Sequence, residues 1–261
     1  MVRNASPMMW LLLRLFIGAK KPKIIIPGQE FAGKIEAVGK DVKLFKKGDK
    51  VFGSTSLVGA NAQYICMQED GPLAEIPSNM TYEDATCIPF GGNTALYFLR
   101  DKGNIKKGQK VLIYGASGGV GTAGVQIAKA FETEVTGVSS SVNFELVKSL
   151  GATNVIDYKK EDFTKREERY DIIFDAVGKT SKSTSKKALK PNGKFVSVKK
   201  GLAKERKEDL IFLRELVEAV KFKAVIDRRY PMAKIVEAHR YVDKGHKKGN
   251  VVITVVNNNK T

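Results

Sequence analysis

Residues 111–130 read VLIYGASGGVGTAGVQIAKA, with five glycines between positions 115 and 124. The run begins as a short apolar strand, VLIYG. It ends as a helix whose Val120, Ala123, Ile127 and Ala130 recur at the spacing that packs one face on a sheet. Between them lies Ala116-Ser117-Gly118-Gly119-Val120-Gly121, the dinucleotide fingerprint with Ala in place of its first glycine. Gly118 lets the main chain approach a diphosphate with no Cβ in the way. Gly121 permits close packing of helix on strand. The helix N-terminus adds free N–H groups and partial positive charge. Alone, such a pattern is weak; between a strand and an amphipathic helix it is strong.

The chain around it keeps the same rhythm. Strands are predicted at 111–115, 134–139, 154–157, 171–177 and 193–198, and helices at 119–131, 143–150 and 207–220. Alternation of this kind gives parallel βαβ units, so the fold class is α/β with a doubly wound parallel sheet. Residues 24–77 read differently. Apolar bursts such as KIEAV (34–38) and KVFG (50–53) alternate with Gly, Asp and Lys turns, an antiparallel β pattern. YEDATCIPFGGNTALYFLRDKG (82–103) has helical spacing. The tail predicts a strand near KAVI (223–226), a helix at 232–243 and a strand at 250–256.

The second strand of the α/β unit, EVTGV, ends in Ser139-Ser140-Ser141, with Asn143 just beyond. NAD sites usually hold the adenine ribose with a carboxylate there. Hydroxyls in that place can donate to a 2′-phosphate, which favours NADP over NAD.

Composition bounds the rest. The 261 residues hold 45 Lys+Arg against 28 Asp+Glu, a formal charge of +17. Such a field attracts anions. The lysines are dispersed, and none of the densest runs is interleaved with aromatics as single-strand binding requires. A solvated basic surface is therefore favoured over a nucleic-acid site. Cys66, Cys87, His239 and His246 show no metal-ligand spacing and no disulfide framework. The thiols read as inert in a reducing cytosol. MMWLLLRLFIGA (8–19) is too short to span a bilayer and is broken by Arg14. It reads as a buried or groove-lining segment, with no membrane association.

Taken together, these stretches resemble the zinc-independent medium-chain dehydrogenase/reductases, in the quinone oxidoreductase (zeta-crystallin-like) branch. PGQEFAGKIEAVGKDVKLFKKGDKVFG (27–53) resembles the family's GroES-like domain. IPFGGNTALYFL (88–99), the glycine-rich stretch, ELVKSLGATNVIDY (145–158) and YDIIFDAVGK (170–179) resemble its Rossmann nucleotide-binding domain. VIDRRYPMAKIVEAHRYVDKGHKKGNVVITV (225–255) resembles its returning C-terminus. The resemblance implies a partial GroES-like β domain from 1–87 and 222–261 and a Rossmann domain from 88–221. It implies that Thr94 faces a nicotinamide, that Ser117, Gly118, Gly119, Val120 and Gly121 hold the pyrophosphate, and that Ser139, Ser140 and Asn143 meet the 2′-phosphate end. It places Tyr158 near the adenine, with Val177 and Gly178 on the nicotinamide side. Gln29 stands where zinc-dependent relatives carry His, and Phe90 lies near a further ligand position. Zinc is therefore not expected, and the implied chemistry is hydride transfer to a quinone, an enone or a related carbonyl acceptor. No catalytic residue is singled out; Tyr64 and solvent are the proton sources considered, and Tyr64 reads more readily as a packed strand residue.

Three departures qualify the resemblance. Few residues precede Pro27, so the β domain is expected to be incomplete. Only KKGLAKER separates GKFVSV (193–198) from KEDLIFLREL (207–216), so the sixth parallel strand and the usual dimer edge are expected to be lost. Glu132 replaces a helix-ending Gly. A small-molecule substrate and a cytoplasmic location are expected. A shortened, catalytically weak nucleotide-binding relative is the alternative, and a basic RNA-binding protein a further one.

Overall fold

The computed structural model describes residues 26–55 and 58–255. The apolar stretch 8–19 and Val256 lie outside them. Three sheets are present among the described residues. The largest has five parallel strands: β4 (Lys110–Tyr114), β5 (Glu134–Ser139), β6 (Asn154–Asp157), β7 (Tyr170–Asp175) and β8 (Leu189–Ser197). Their order is β6-β5-β4-β7-β8. The strand before the glycine-rich turn is thus central, and the order reverses beside it. In open α/β sheets ligands bind at such a reversal, outside the strands' carboxyl ends.

Burial on both faces explains the apolar strands. Val111, Leu112 and Ile113 of β4 are fully buried. One face joins Ile113 and Phe174 to Ile127, Leu96, Leu99 and Leu213. The other gathers Leu112, Val138, Ile156, Tyr170 and Ile173. Each fully buried Leu or Ile contributes about 1.5–3 kcal/mol relative to exposure.

The helices carry the site's framework. Thr81 caps α1 (Tyr82–Ala85), accepting from the Asp84 amide at 3.1 Å in a capping box. Pro89 opens α2 (Pro89–Leu96), where the missing N–H costs nothing. α3 (Gly119–Ala130) leaves the glycine turn. α4 (Phe144–Ser149), α5 (Lys182–Ser185), α6 (Lys207–Glu218) and α7 (Ile235–Asp243) follow. α2 lies so close to α3 that a Cβ on Gly91 would sit 3.1 Å from the Gly119 carbonyl oxygen.

The smaller sheets belong to the part resembling the GroES-like domain. β1 (Glu30–Lys34), β2 (Lys50–Ser54) and β3 (Leu73–Glu75) are antiparallel. β9 (Ile226–Pro231) and β10 (Asn250–Thr254) form a parallel pair.

Several boundaries differ from those predicted. The first strand is EFAGK, not KIEAV. Its register pairs Glu30 with Ser54 and Lys34 with Lys50, and only Ile35 continues the contact, donating to Asp49 O at 2.9 Å. Gly33 sits inside the strand. The strand expected at 223–226 starts at Ile226 and runs on through DRRYP, because pairing with β10 outweighs its charge. β8 begins at Leu189 rather than 193, and carries Pro191 as an edge strand tolerates. The helical stretch 82–103 breaks at Pro89 and ends in a π-helical turn, Tyr97–Lys102. From Val198 to Arg206 the chain runs through a 3₁₀ turn and a loop into α6, so β8 is an edge of the sheet as described.

Glu132 adopts a left-handed φ of 58° and pairs with Lys107 at 2.6 Å. An exposed pair of this kind is worth about 0–1 kcal/mol, whereas a side chain in the left-handed region costs about 1–2 kcal/mol. We expect Glu132→Gly to raise Tm by about 2–4 °C in a thermal melt.

Candidate functional site

Three of the glycines in the turn after β4 have distinct physical roles. Gly115 takes a left-handed φ of 82°, so the tight-turn duty falls one residue before the position that Ala116 fills. A Cβ on Gly121 would stand 2.0 Å from the Gly115 carbonyl oxygen, so only glycine lets α3 start there. Gly118 differs. The nearest atom to an added Cβ is Gly115 O at 3.6 Å, an ordinary contact, so the fold itself does not demand glycine. Gly118 is the N-cap of α3, with extended backbone and no side-chain cap. The space above it and the uncapped amides form a cradle that suits a diphosphate.

The returning C-terminal segment braces the cradle from the side. Gly249 donates its N–H to Ser117 O at 2.8 Å and bridges to Gly118. The Lys247 ammonium donates to Gly249 O, close to Gly119. Burial lowers the Lys247 pKa, opposed by Glu30 and Asp227.

Asn143 donates to Ser117 Oγ at 3.0 Å, joining the loop after β5 to the cradle. Its Oδ1 is buried with no partner, an orphan acceptor beside the turn. Ser139 is buried, and its hydroxyl is spent on Ser140 O at 3.2 Å. Ser140 is half-buried and Ser141 exposed. The register Ser139↔Asp157 brings Tyr158 and the lysines after it alongside. Tyr158 is 50% exposed, an open ring face at that end. Lys159 and Lys160 follow it, cations that sequence reasoning passed over because it searched only the loop after β5. Asp157 is held below the usual carboxylate range by the Lys159 amide and by Ser141, so it serves as a clamp between the two loops.

At the other end a cavity of about 420 Å³ opens beside the same turn. Thr94 and Val120 line it with Val177, Asn93, Val198 and Glu205. The turn carrying Val177 and Gly178 is organised by Asp175, which is fully buried. Its oxygens accept from the amides of Val177, Lys179 and Thr180 at 3.1–3.3 Å and from the Ser197 hydroxyl at 3.0 Å. Gly178 has φ 68°.

Gln29 and Phe90 also line this cavity. They present an amide and a phenyl ring where a zinc site needs imidazole, thiolate or carboxylate. Neighbouring Glu30 accepts from the Phe90 amide at 2.8 Å. Burial pushes its carboxyl up to about 7, opposed by that bond and by Lys247 and reinforced by Glu205. Tyr64 is 54% exposed, lies in no strand, and lines a larger open groove along β1 instead. Cys66 is exposed and lines that groove too. Cys87 is buried, with its thiol pKa raised by burial.

Three family models match the chain. The alcohol dehydrogenase GroES-like domain matches residues 9–92, and two models described as zinc-binding dehydrogenase match 119–223 and 200–253. A chloroplastic quinone oxidoreductase of Triphysaria versicolor is 31% identical over 93% of this chain and 83% of its own. The chain belongs to the quinone oxidoreductase branch of the medium-chain dehydrogenase/reductases. A chloroplastic NADPH-dependent alkenal/one oxidoreductase of Arabidopsis thaliana is 30% identical over 91% of this chain and 66% of its own. The chain thus spans about two thirds of the length of that relative. The solved quinone oxidoreductase of Coxiella burnetii superposes with a TM-score of 0.78 at 26% identity, covering 97% of this chain and 85% of that one. No helix among the described residues is long and apolar enough to cross a membrane.

The glycines make separable predictions. Gly118→Ala should melt like the wild type yet lose at least tenfold in NADPH affinity by calorimetry. Gly121→Ala should lower Tm by several degrees, because backbone must move. A further expectation concerns pH. The folded chain holds the Glu30 proton more tightly than the unfolded chain between pH 4.5 and about 7, so stability declines as pH rises through that window. Glu30→Gln keeps an acceptor for the Phe90 amide and should flatten this decline in urea titrations across pH.

Proposed function

We propose that this chain is an NADP(H)-dependent oxidoreductase that transfers hydride to a quinone, an enone or a related carbonyl acceptor without zinc. The observation that carries the reading is Gly118, a helix cap whose bareness no protein neighbour demands, set between the Ser140–Tyr158 end and the Thr94–Val177 cavity. Two relatives in the family are described as a quinone oxidoreductase and an NADPH-dependent alkenal/one oxidoreductase, which supports the reading.

Bound there, the cofactor would supply the hydride; this chain's residues supply binding, orientation and exclusion of water. The amides of 119–121, at the N-terminus of α3, meet the diphosphate, while the Gly118 N–H is taken by Gly115 O at 3.1 Å. The Ser140 hydroxyl, with Lys159 and Lys160, meets a 2′-phosphate, while Asp157 beside them keeps its charge and is held by the Lys159 amide and Ser141. Thr94, Val120 and Val177 wall a cavity apolar enough to hold a ring. Gln29 and Phe90 leave acceptor activation to hydrogen bonding rather than to a Lewis acid, which suits electron-poor acceptors. A small-molecule substrate, a cytoplasmic location and loss of the usual dimer edge at β8 complete the proposal.

The test is a pair of titrations followed by turnover. NADPH should bind in the micromolar range and at least tenfold more tightly than NADH, and a quinone and enone panel should drive its oxidation. Binding without oxidation of NADPH by any acceptor supports the catalytically weak alternative. Equal affinity for NADH contradicts the 2′-phosphate assignment.

A further inference from the structure

The loop between β8 and α6 brings one carboxylate into the cavity beside Thr94. Glu205 lines that cavity, and its Oε2 is buried with no hydrogen-bond partner. The second orphan acceptor there is Oδ1 of Asn93. A buried acceptor left unpartnered costs about 1–3 kcal/mol, so two of them on residues that line one cavity call for a donor from outside.

Neither acceptor is free to turn away. Asn93 uses its amide N–H to bond Lys204 O at 2.9 Å, which fixes the residue before Glu205. The residue after it, Arg206, reaches Asp101 and Asp209, each at 2.8 Å. Arg100 closes the network, 2.6 Å from Asp101 and 2.7 Å from the buried Asp209. Lys207 then donates to Glu69 O at 2.9 Å. The short loop is tied on both sides of Glu205, and the carboxylate between the ties is held in place.

We propose that Glu205, with Asn93 beside it, accepts the carboxamide N–H group of the nicotinamide ring and so sets which face of the ring meets the acceptor. This rests on the nucleotide reading given above. The reaction's components narrow the choice of donor. Quinones and enones carry acceptor oxygens and no N–H, whereas the primary carboxamide offers two N–H groups to two orphan acceptors. The rest of the wall, Val120, Ala176, Val177, Val198 and Phe90, is apolar and suits the ring itself. The preference is read with oxidised ligands of equal charge, so that ring charge does not enter the comparison.

The experiment is calorimetric titration of the full chain with three ligands: NADP⁺, its 3-acetylpyridine analogue, which has no N–H on the ring substituent, and 2′-phosphoadenosine diphosphoribose, which has no ring. The wild type should prefer NADP⁺ to the acetylpyridine analogue by about tenfold. Glu205→Ala should lose that preference, and Glu205→Gln, which keeps an acceptor oxygen, should retain part of it. The ringless nucleotide should bind all three proteins within about twofold, reporting that the fold and the diphosphate cradle are intact. A Glu205→Ala variant that keeps the wild-type preference overturns the assignment alone, as does a wild type that binds the ringless nucleotide but does not distinguish the two pyridines. A wild type that binds none of the three overturns the nucleotide reading with it.

Discussion

The close approach of α3 to the turn after β4 is the constraint on which the rest depends. With Gly121 against the Gly115 carbonyl, the helix begins within a few ångströms of the central strand's end. A single methyl group there would push the helix away and take its amides with it. Because β4 is central, the same point is where the strand order reverses. The crevice, the helix N-terminus and the bare main chain thus coincide for one steric reason. Gly249, donating to Ser117, then ties the C-terminal segment to that point, so the two parts of the chain are joined where the ligand would lie.

Two buried carboxylates organise the crevice from below. Asp175 gathers three amides and a hydroxyl and thereby presents Val177 to the cavity, while Gly178, expected on the same side, packs against Lys199 and does not line it. Asp157 joins the loops after β5 and β6 at the opposite end. Both are acceptors whose bonds are filled, and they act by placing neighbours. Glu205 is the exception, a carboxylate oxygen in the wall with its bond unfilled. Filled bonds mark scaffold and unfilled ones mark places for a ligand, and the crevice contains both kinds.

Much of this was legible in the residues. The glycine spacing, the alternation of strands and helices and the serine run after β5 were readable because each follows from local backbone or periodic burial. Thr94 and Val177 are named through resemblance for the nicotinamide side, and they line one cavity; Val120, named for the pyrophosphate, lines it too. What was not legible depended on pairing across long sequence distances. β9 is charged and half-exposed, and only its ladder with β10 makes it a strand. β1 is EFAGK rather than the more apolar KIEAV, and only its ladder with β2 makes it the strand. Glu205 sits in a charged run, KKGLAKERK, that looks like a solvated surface. Only Asn93 and the Arg100–Asp101–Arg206–Asp209 network, from three separate segments, turn it inward. Lys159 and Lys160 were missed because their place beside Ser140 follows from the β5–β6 register.

The central claim is that the amides of 119–121, where α3 begins, clasp a diphosphate. Amide hydrogen exchange with and without NADPH tests it most directly. The account predicts that peptides covering Gly115–Thr122 gain the strongest protection, with a smaller gain around Ser140–Asn143 and Gly249. NADPH binding that protects other segments while the 115–122 amides exchange as before would contradict it.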